Sequence, residues 1–481
     1  MTPEDIARRF EQRQGYELID YAEVALPLYR LSIDAVTMLH REIPPIKEFV
    51  MRSIEAGLDD SKVVSGFLGL DEATVHTTFA QLESEKYATT PDGSSATLTE
   101  RGREILKIAR ESSPRDEMLV FLYDRLLLKP IRLTFEQLMV PANIDAQRVV
   151  EIRPYPAEGP EISQLSLPEI AQVLEEQAGG REAFGRDLLR LKRIVRRVRL
   201  YRSGVALVYK KVRSSELQIA FIVDDARHEG LEHAFAVRGG PKKMGFVQSI
   251  DESATAGELR RYLGTEVVRL LPDSASFDEK RIAVSLARLR HQTAVSRAER
   301  VAGRVPELEA SVEATASALK IAQSDLEAFS ARPVSPYELP ELLGEALQTC
   351  EQKLIVSSRT IDRSIVDSQF LKRLTEVLDR GVNVSVSLSE ATQAAPALEM
   401  EKLRSRYPRL SLSSNKRGQF HHLVCDNRFA VVSNRPFLGN LKKVRTFHYV
   451  VGYILQESSL VDAFIRRTRS SSDAGLQQLN G

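Results

Sequence analysis

The chain has 481 residues, enough for roughly three or four domains that each bury a core. With 28% charged and 43% hydrophobic residues and a net charge of +1, it is neither disordered nor strongly basic, so global charge chooses no partner. No run approaches the roughly 18 apolar residues of a membrane span, and the start, MTPEDIARRF, is an acidic helix start rather than a basic, apolar signal peptide. The two cysteines, Cys350 and Cys425, form no C-x-x-C pair and have no histidine at zinc-ligand spacing. A cytoplasmic protein with no membrane contact, no metal and no other cofactor is expected.

Residues 1–43 form an N-terminal extension with an amphipathic helix (Ile6, Phe10) and an apolar patch beginning at Val24. Residues 44–112 carry the clearest local pattern. A helix with Ile46, Phe49, Val50 and Ile54 inward stops at Gly57, and Ser61–Phe67 is followed by the turn Leu68-Gly69-Leu70. Asp71 N-caps the helix Glu72–Ser84, whose Val75, Phe79 and Leu82 share a face. Tyr87–Leu98, broken by Pro91-Asp92-Gly93, makes a two-stranded wing, and Thr99 caps a last helix. That spacing predicts a winged helix-turn-helix. Its second helix brings Glu72, Glu83 and Glu85 against one Lys86, although a phosphate backbone calls for Arg and Lys. Thr74, His76, Thr77, Thr78 and Gln81 are left as candidates for base contacts. A DNA-reading helix and a protein-binding one both fit.

Residues 113–277 are expected to be a mixed α/β middle domain, with helices at Glu117–Leu128 and from near Pro168 to Ala178-Gly179-Gly180. Positive charge collects in 186–213. Leu188, Leu191, Val195 and Val198, at steps of three and four, predict an amphipathic helix whose other faces are basic: Arg190, Lys192, Arg193, Arg196, Arg197, Arg199 and Arg202, followed by Lys210 and Lys211. A duplex backbone fits that surface. Strands Val205–Val212, Leu217–Val223 and Ala234–Val237 are expected next. Residues 278–332 read as a helical coiled coil, with a seam of Val305, Leu308, Val312, Thr315, Leu319, Ala322, Leu326 and Phe329. The two helices fold back as a hairpin or pair across a dimer, and a homodimer is expected.

In 333–481, KLIVSS (353–358) reads as a buried strand, Asp367–Asp379 as a helix ended by Gly381, and Val382–Leu388 as the next strand. Leu423–Cys425 and Phe429–Val432 then flank Asp426-Asn427-Arg428 as a β-hairpin. Val444–Ile454 supplies a closing strand, and Ser458–Thr468 a helix with Leu460, Val461, Phe464 and Ile465 inward.

This order of elements, with Gln419–Phe437 (QFHHLVCDNRFAVVSNRPF) at its centre, resembles the phospholipase D superfamily, marked by H-x-K-x4-D followed by G-S-x-N. Counted from Asp426, the motif's His falls on Gln419 and its Lys on His421. Gly, Ser and Asn fall on Ser433, Asn434 and Pro436. In the family the His takes the phosphoryl group, and Lys, Ser and Asn hold phosphate oxygens. The resemblance therefore implies a vestigial site (Gln419, His421, His422, Asp426, Asn434), because a Gln amide is no nucleophile. Cys425, in an apolar strand beside Asp426, is expected to have a raised thiol pKa.

The whole reads as a multidomain α+β and α/β protein. Lys416, Arg417, Arg435, Lys442, Lys443 and Arg445 extend the basic surface around the vestigial cleft, so double-stranded DNA held by its backbone is the expected partner. A winged helix joined to such a domain resembles bacterial anti-phage and DNA-restriction proteins, in which such domains recognise or cut foreign DNA; with the motif's nucleophile replaced by Gln419, a non-catalytic accessory role is expected. An active nuclease built on His421 or His422 with Asp426, and a winged-helix transcription regulator, are the alternatives.

Overall fold

The computed structural model describes residues 1–108, 110–132, 138–147, 149–253, 255–300, 306–389, 395–414, 420–439 and 446–477. The fold is multidomain α+β. Residues 28–136 and 158–200 make one compact unit, and residues 1–27, 137–157 and 201–481 make the other. Two long strands, Tyr16–Glu42 and Arg186–Lys211, contribute to both.

In the first unit, residues 28–42 pair antiparallel with Arg110–Asp124, in a register that sets Leu31 opposite Phe121 and Ile33 opposite Leu119. Alternate side chains of both strands point to one face, where they meet Ile170 and Leu174 of the helix Leu167–Ala178. Ser166 caps that helix and Gly179, at φ 95°, ends it. The segment Glu117–Leu128, expected to be helical, is largely strand. Its opposite face keeps Met118 (60%) and Val120 (37%) exposed, so both faces are apolar and no period of two shows in the sequence.

The winged helix-turn-helix is present in this unit: helices Pro45–Glu55, Ser61–Leu68, Glu72–Ser84 and Glu100–Ile108, with wing strands Ala88–Thr89 and Thr97–Leu98. Asp60 and Asp71 accept backbone N–H groups of the helices that follow them, and Gly69, at φ 66°, closes the turn between. Gly102 is required, since a Cβ there would lie 2.0 Å from the Tyr87 carbonyl oxygen. Val50, Met51 and Ile54 are buried with Val75, Phe79 and Leu82. Ile46 and Phe49, expected inward, are exposed. The inward face instead carries Lys47, whose ammonium lies over the Tyr87 ring and pairs with Glu85.

In the second unit, a seven-stranded sheet runs in the order Ala331–Pro333, Gly452–Leu455, Phe429–Ser433, His421–Cys425, Lys353–Ser358, Asn383–Leu388, Leu410–Ser414. The last three strands are parallel and the others antiparallel. Helices cover both faces. Leu343, Leu374 and Met400 pack with Leu423 and Val431 on one side, while Leu259, Val461 and Phe464 pack with Val424 and Val432 on the other. Double burial explains why Phe429–Ser433 is buried at every position.

The helices Ser274–Glu299 and Pro306–Glu327 fold back on each other in antiparallel fashion. Phe277 meets Phe329, the Lys280 ammonium bonds the Asp325 carbonyl at 3.2 Å, and His291 bonds Thr315 at 3.2 Å. Thr315 of the seam thus lies against the neighbouring helix of the same chain. Ala234–Val237, expected as a strand, ends the helix Glu229–Val237, which is capped by the His228 ring and holds Phe235 against Phe221 and Phe246. Its apolar run is too short for periodicity to separate helix from strand.

Candidate functional site

The hairpin His421–Cys425/Phe429–Ser433 is fixed by pairing, with His421 opposite Ser433 and Val356 opposite Leu423. This brings His421 and Ser433 to the sheet edge where the parallel strands end at Ser358 and Leu388, the edge at which open α/β sheets bind ligands. His421 is 1% exposed. Burial first, then the neighbouring His422 and Arg359, push its pKa down to about 4. His422 points to the other face, where its ring meets Phe464 edge-on at 5.7 Å, and burial pushes it down to about 4 as well. Both rings are neutral at pH 7, and among the described residues the buried Nδ1 atom of each has no hydrogen-bond partner.

Ser433 and Asn434 are committed to the backbone. Ser433 Oγ donates to Val451 O at 2.8 Å. Asn434 donates to Tyr449 O at 2.7 Å and accepts from Val451 N at 3.0 Å. Asp426 lies past the far end of the hairpin strand, five residues from His421, or about 16 Å along an extended chain. Its φ is 51°, and its carboxylate accepts the N–H groups of Glu351 (2.9 Å), Gln352 (2.9 Å) and Lys353 (2.7 Å) and the Cys350 thiol (3.3 Å). Burial raises its pKa, but these donors outweigh burial and hold it below the ordinary carboxylate value. A His–Asp pair cannot form between groups so placed. Gln419, Lys416, Arg417, Lys442, Lys443 and Arg445 lie outside the described residues.

Sequence reasoning missed the meeting of the two cysteines. Cys350 ends the helix Glu338–Thr349, Cys425 ends the hairpin strand, and the pairing of Leu354 with Cys425 closes the gap. The ligand atoms of Cys350, Cys425 and Asp426 all lie within 4.8 Å of one another. Cys425, expected to be raised, has its pKa lowered, chiefly by the neighbouring Cys350 thiol, whose own pKa is raised. Three donors are one short of a closed structural metal set, and Asp426 already accepts four hydrogen-bond donors. Only the strand register could have revealed this cluster.

The basic stretch expected as a helix is strand Arg186–Lys211. Several of its charges have acidic partners: Arg186 pairs with Glu117, Lys192 with Asp116 (2.7 Å), Arg193 with Asp34 (2.7 Å), Arg202 with Asp224 and Lys211 with Glu216 (2.9 Å). Arg197 donates to Pro160 O at 2.9 Å, and the Lys210 ammonium stands over the Tyr449 ring. Arg190, Arg196 and Arg199 are exposed, and among the described residues none of them has an ion pair or hydrogen bond. Arg435 turns inward instead, to Asp20 at 3.2 Å.

In the winged helix, Thr74 bonds its own cap Asp71, Thr78 is buried, and His76 is held between Ser61 (3.2 Å) and the Gly93 carbonyl (3.1 Å). Thr77 and Gln81 remain exposed, in the company of Glu72 and Glu83.

No protein-family model matches the sequence, and no curated protein matches it. Among solved structures, the chain is similar in part to TrmBL2, an archaeal chromatin protein whose structure is described as showing a novel mode of DNA binding. Identity is 17% and the TM-score 0.23, over 38% of this chain and 65% of that one. It is also similar to NucT from Helicobacter pylori (11% identity, TM-score 0.22, over 31% of this chain and 95% of that one). A third is the phosphatidylserine synthase of Haemophilus influenzae Rd KW20 (11%, 0.20, 35% and 46%). The chain thus spans just under two thirds of the chromatin protein and under half of the synthase. No helix among the described residues is long and apolar enough to cross a membrane.

Proposed function

We propose that this is a DNA-associated, non-catalytic accessory protein, in which a phospholipase D-like domain without its reaction chemistry is kept as a structural and binding module. The observation that carries this reading is the division of the hairpin. His421 and His422 are buried and neutral at one end, while Asp426 is committed to backbone at the other. A phosphodiester cannot reach a nucleophile that is 1% exposed, and no carboxylate stands by to orient the ring.

DNA contact is assigned to phosphates along Arg190, Arg196 and Arg199, exposed cations of this strand that have no ion pair among the described residues. The acidic helix Glu72–Ser84 of the winged domain favours a protein partner there. Binding to supercoiled plasmid and to short duplexes should weaken steeply with salt. Reversing the charge of Arg190, Arg196 and Arg199 together should reduce the log–log salt slope by about 3, equally on unrelated sequences. The plasmid should remain un-nicked with or without divalent metal. Unchanged binding in the triple variant would remove this strand from the reading, and nicking that is lost in His421→Ala would replace it with the nuclease. A place in a bacterial defence or restriction system is part of the same proposal, tested by phage plating on cells that carry or lack the gene.

A further inference from the structure

The helix Ser274–Glu299 is packed on two sides and bare on a third. Phe277, Lys280 and His291 meet Phe329, Asp325 and Thr315 of the returning arm. Arg281, Val284 and Arg288 line a cavity shared with Tyr337 and Glu338. The remaining side carries Ile282, Leu286 and Leu289, which stand 43%, 48% and 56% exposed. Steps of four and three place these side chains in one stripe along the helix. One exposed leucine is ordinary, but a row at the spacing of a coiled-coil seam marks a face that fits another helix.

The charges beside that row show which helix it fits. Glu279, Ala283, Leu286, Arg290 and Arg297 make a second row at helical spacing. Glu279, Arg290 and Arg297 are exposed, and among the described residues none of them has an ion pair or a hydrogen bond. The carboxylate thus stands before the apolar row and the guanidinium groups after it. Two copies laid antiparallel about a twofold axis at Leu286 would set Ile282 of each opposite Leu289 of the other, and Leu286 opposite itself. Glu279 of each copy would then come within one turn of Arg290 and Arg297 of the other. A parallel pair would set Glu279 against Glu279 and Arg290 against Arg290, so that like charges meet. The arginines outnumber the glutamate, so their separation along the helix, and not the total charge, selects the arrangement. A nucleic-acid backbone would use the arginines but give the apolar row nothing to bury against.

We propose that the exposed stripe of Ser274–Glu299 is a self-association surface, on which a second copy of this chain lays the same helix antiparallel about Leu286. The surface does not depend on the DNA reading. Sedimentation equilibrium of the full chain, free of nucleic acid, should show a monomer–dimer equilibrium between low and high micromolar concentration. Leu286→Arg, which sets two guanidinium groups face to face on the axis, should weaken the dimer by about tenfold or more. Arg290→Glu/Arg297→Glu should weaken it by about tenfold, and adding Glu279→Arg to that variant should restore it. Oxidation with diamide, which takes up two electrons and two protons as two thiols join, should link the copies in Leu286→Cys. It should not link them in Ile282→Cys, since those two positions lie about 12 Å apart along the axis of an antiparallel pair. The native Cys350 and Cys425 are buried, so neither competes. The Arg190, Arg196, Arg199 charge reversal should dimerise as wild type does. A monomer at every concentration, or a dimer that Leu286→Arg leaves intact, would overturn the surface. A link in Ile282→Cys and not in Leu286→Cys would overturn the antiparallel register. Duplex binding lost in Arg290→Glu/Arg297→Glu, with wild type monomeric, would give the stripe to nucleic acid instead.

Discussion

Acidification is expected to loosen the hairpin sheet well above the pH at which carboxylates titrate. His421 and His422 have an ordinary pKa of 6.5 and are pushed down to about 4 in the folded chain. The folded values lie below the unfolded ones, so the stability these rings contribute is fully present above pH 6.5. It drains away as the pH falls towards about 4, because the unfolded chain takes up protons that the buried rings refuse. That gap corresponds to about 3 kcal/mol per ring. The two losses reinforce each other, since protonating one ring in place repels the proton on the other. Amide hydrogen exchange of the hairpin strands, followed from pH 7 to pH 4 and corrected for intrinsic rates, reads this locally. Wild type should lose protection through that window, and His421→Leu/His422→Leu should lose far less, since apolar side chains of similar bulk have nothing to titrate. Parallel curves for the two proteins would mean that the rings are open to water and would return them to the list of candidate nucleophiles.

The C-terminal sheet was largely legible because its strands are short, centred on β-branched and other apolar residues, and separated by turn residues. KLIVSS, the hairpin ends and the helix capped by Asp367 stand where the sequence places them. The winged helix was legible for a related reason, as Asp60, Gly69 and Asp71 mark its turns. The basic strand was not. Burial along it recurs at Leu188, Leu191, Ile194 and Val198, so the helical spacing is present in the exposure pattern even though the backbone is extended. Among the described residues, the strands other than Tyr16–Glu42 that pair with this one meet it only from Tyr201 onward, which leaves residues 186–199 an open edge there, and charged side chains on such an edge discourage pairing with other chains. Part of the positive charge that suggests nucleic acid is thus accounted for by strand protection and by acids such as Asp34 and Asp116, which sequence distance hid. Arg190, Arg196 and Arg199 are what remains. The candidate site was visible as residue types, but its geometry depended on register, which alone shows Asp426 and the histidines at opposite ends of one strand.

Replacing Asp426 by alanine is expected to cost about 3 kcal/mol of stability, more than any other single change to the motif's residues. Its carboxylate accepts three consecutive backbone N–H groups at 2.7–2.9 Å, and these lead into the interior strand Lys353–Ser358. Hydrogen bonds to an ionised acceptor are the strong kind. Alanine would also have to hold a φ of 51°, in the left-handed region that Asp and Asn tolerate and a plain Cβ resists. Asp426→Asn, with the shape kept and the charge lost, should fall between the two. The pH dependence separates this group from the histidines. The folded pKa of Asp426 lies below its ordinary value of 3.8, so its contribution is complete above that value and is lost only as the pH falls through the folded one. The difference between wild type and Asp426→Ala in denaturant midpoint should therefore stay constant from pH 7 to about 4 and shrink below it. If Asp426→Ala proved as stable as wild type, the carboxylate would be free for chemistry and would have to be read again as part of an active site.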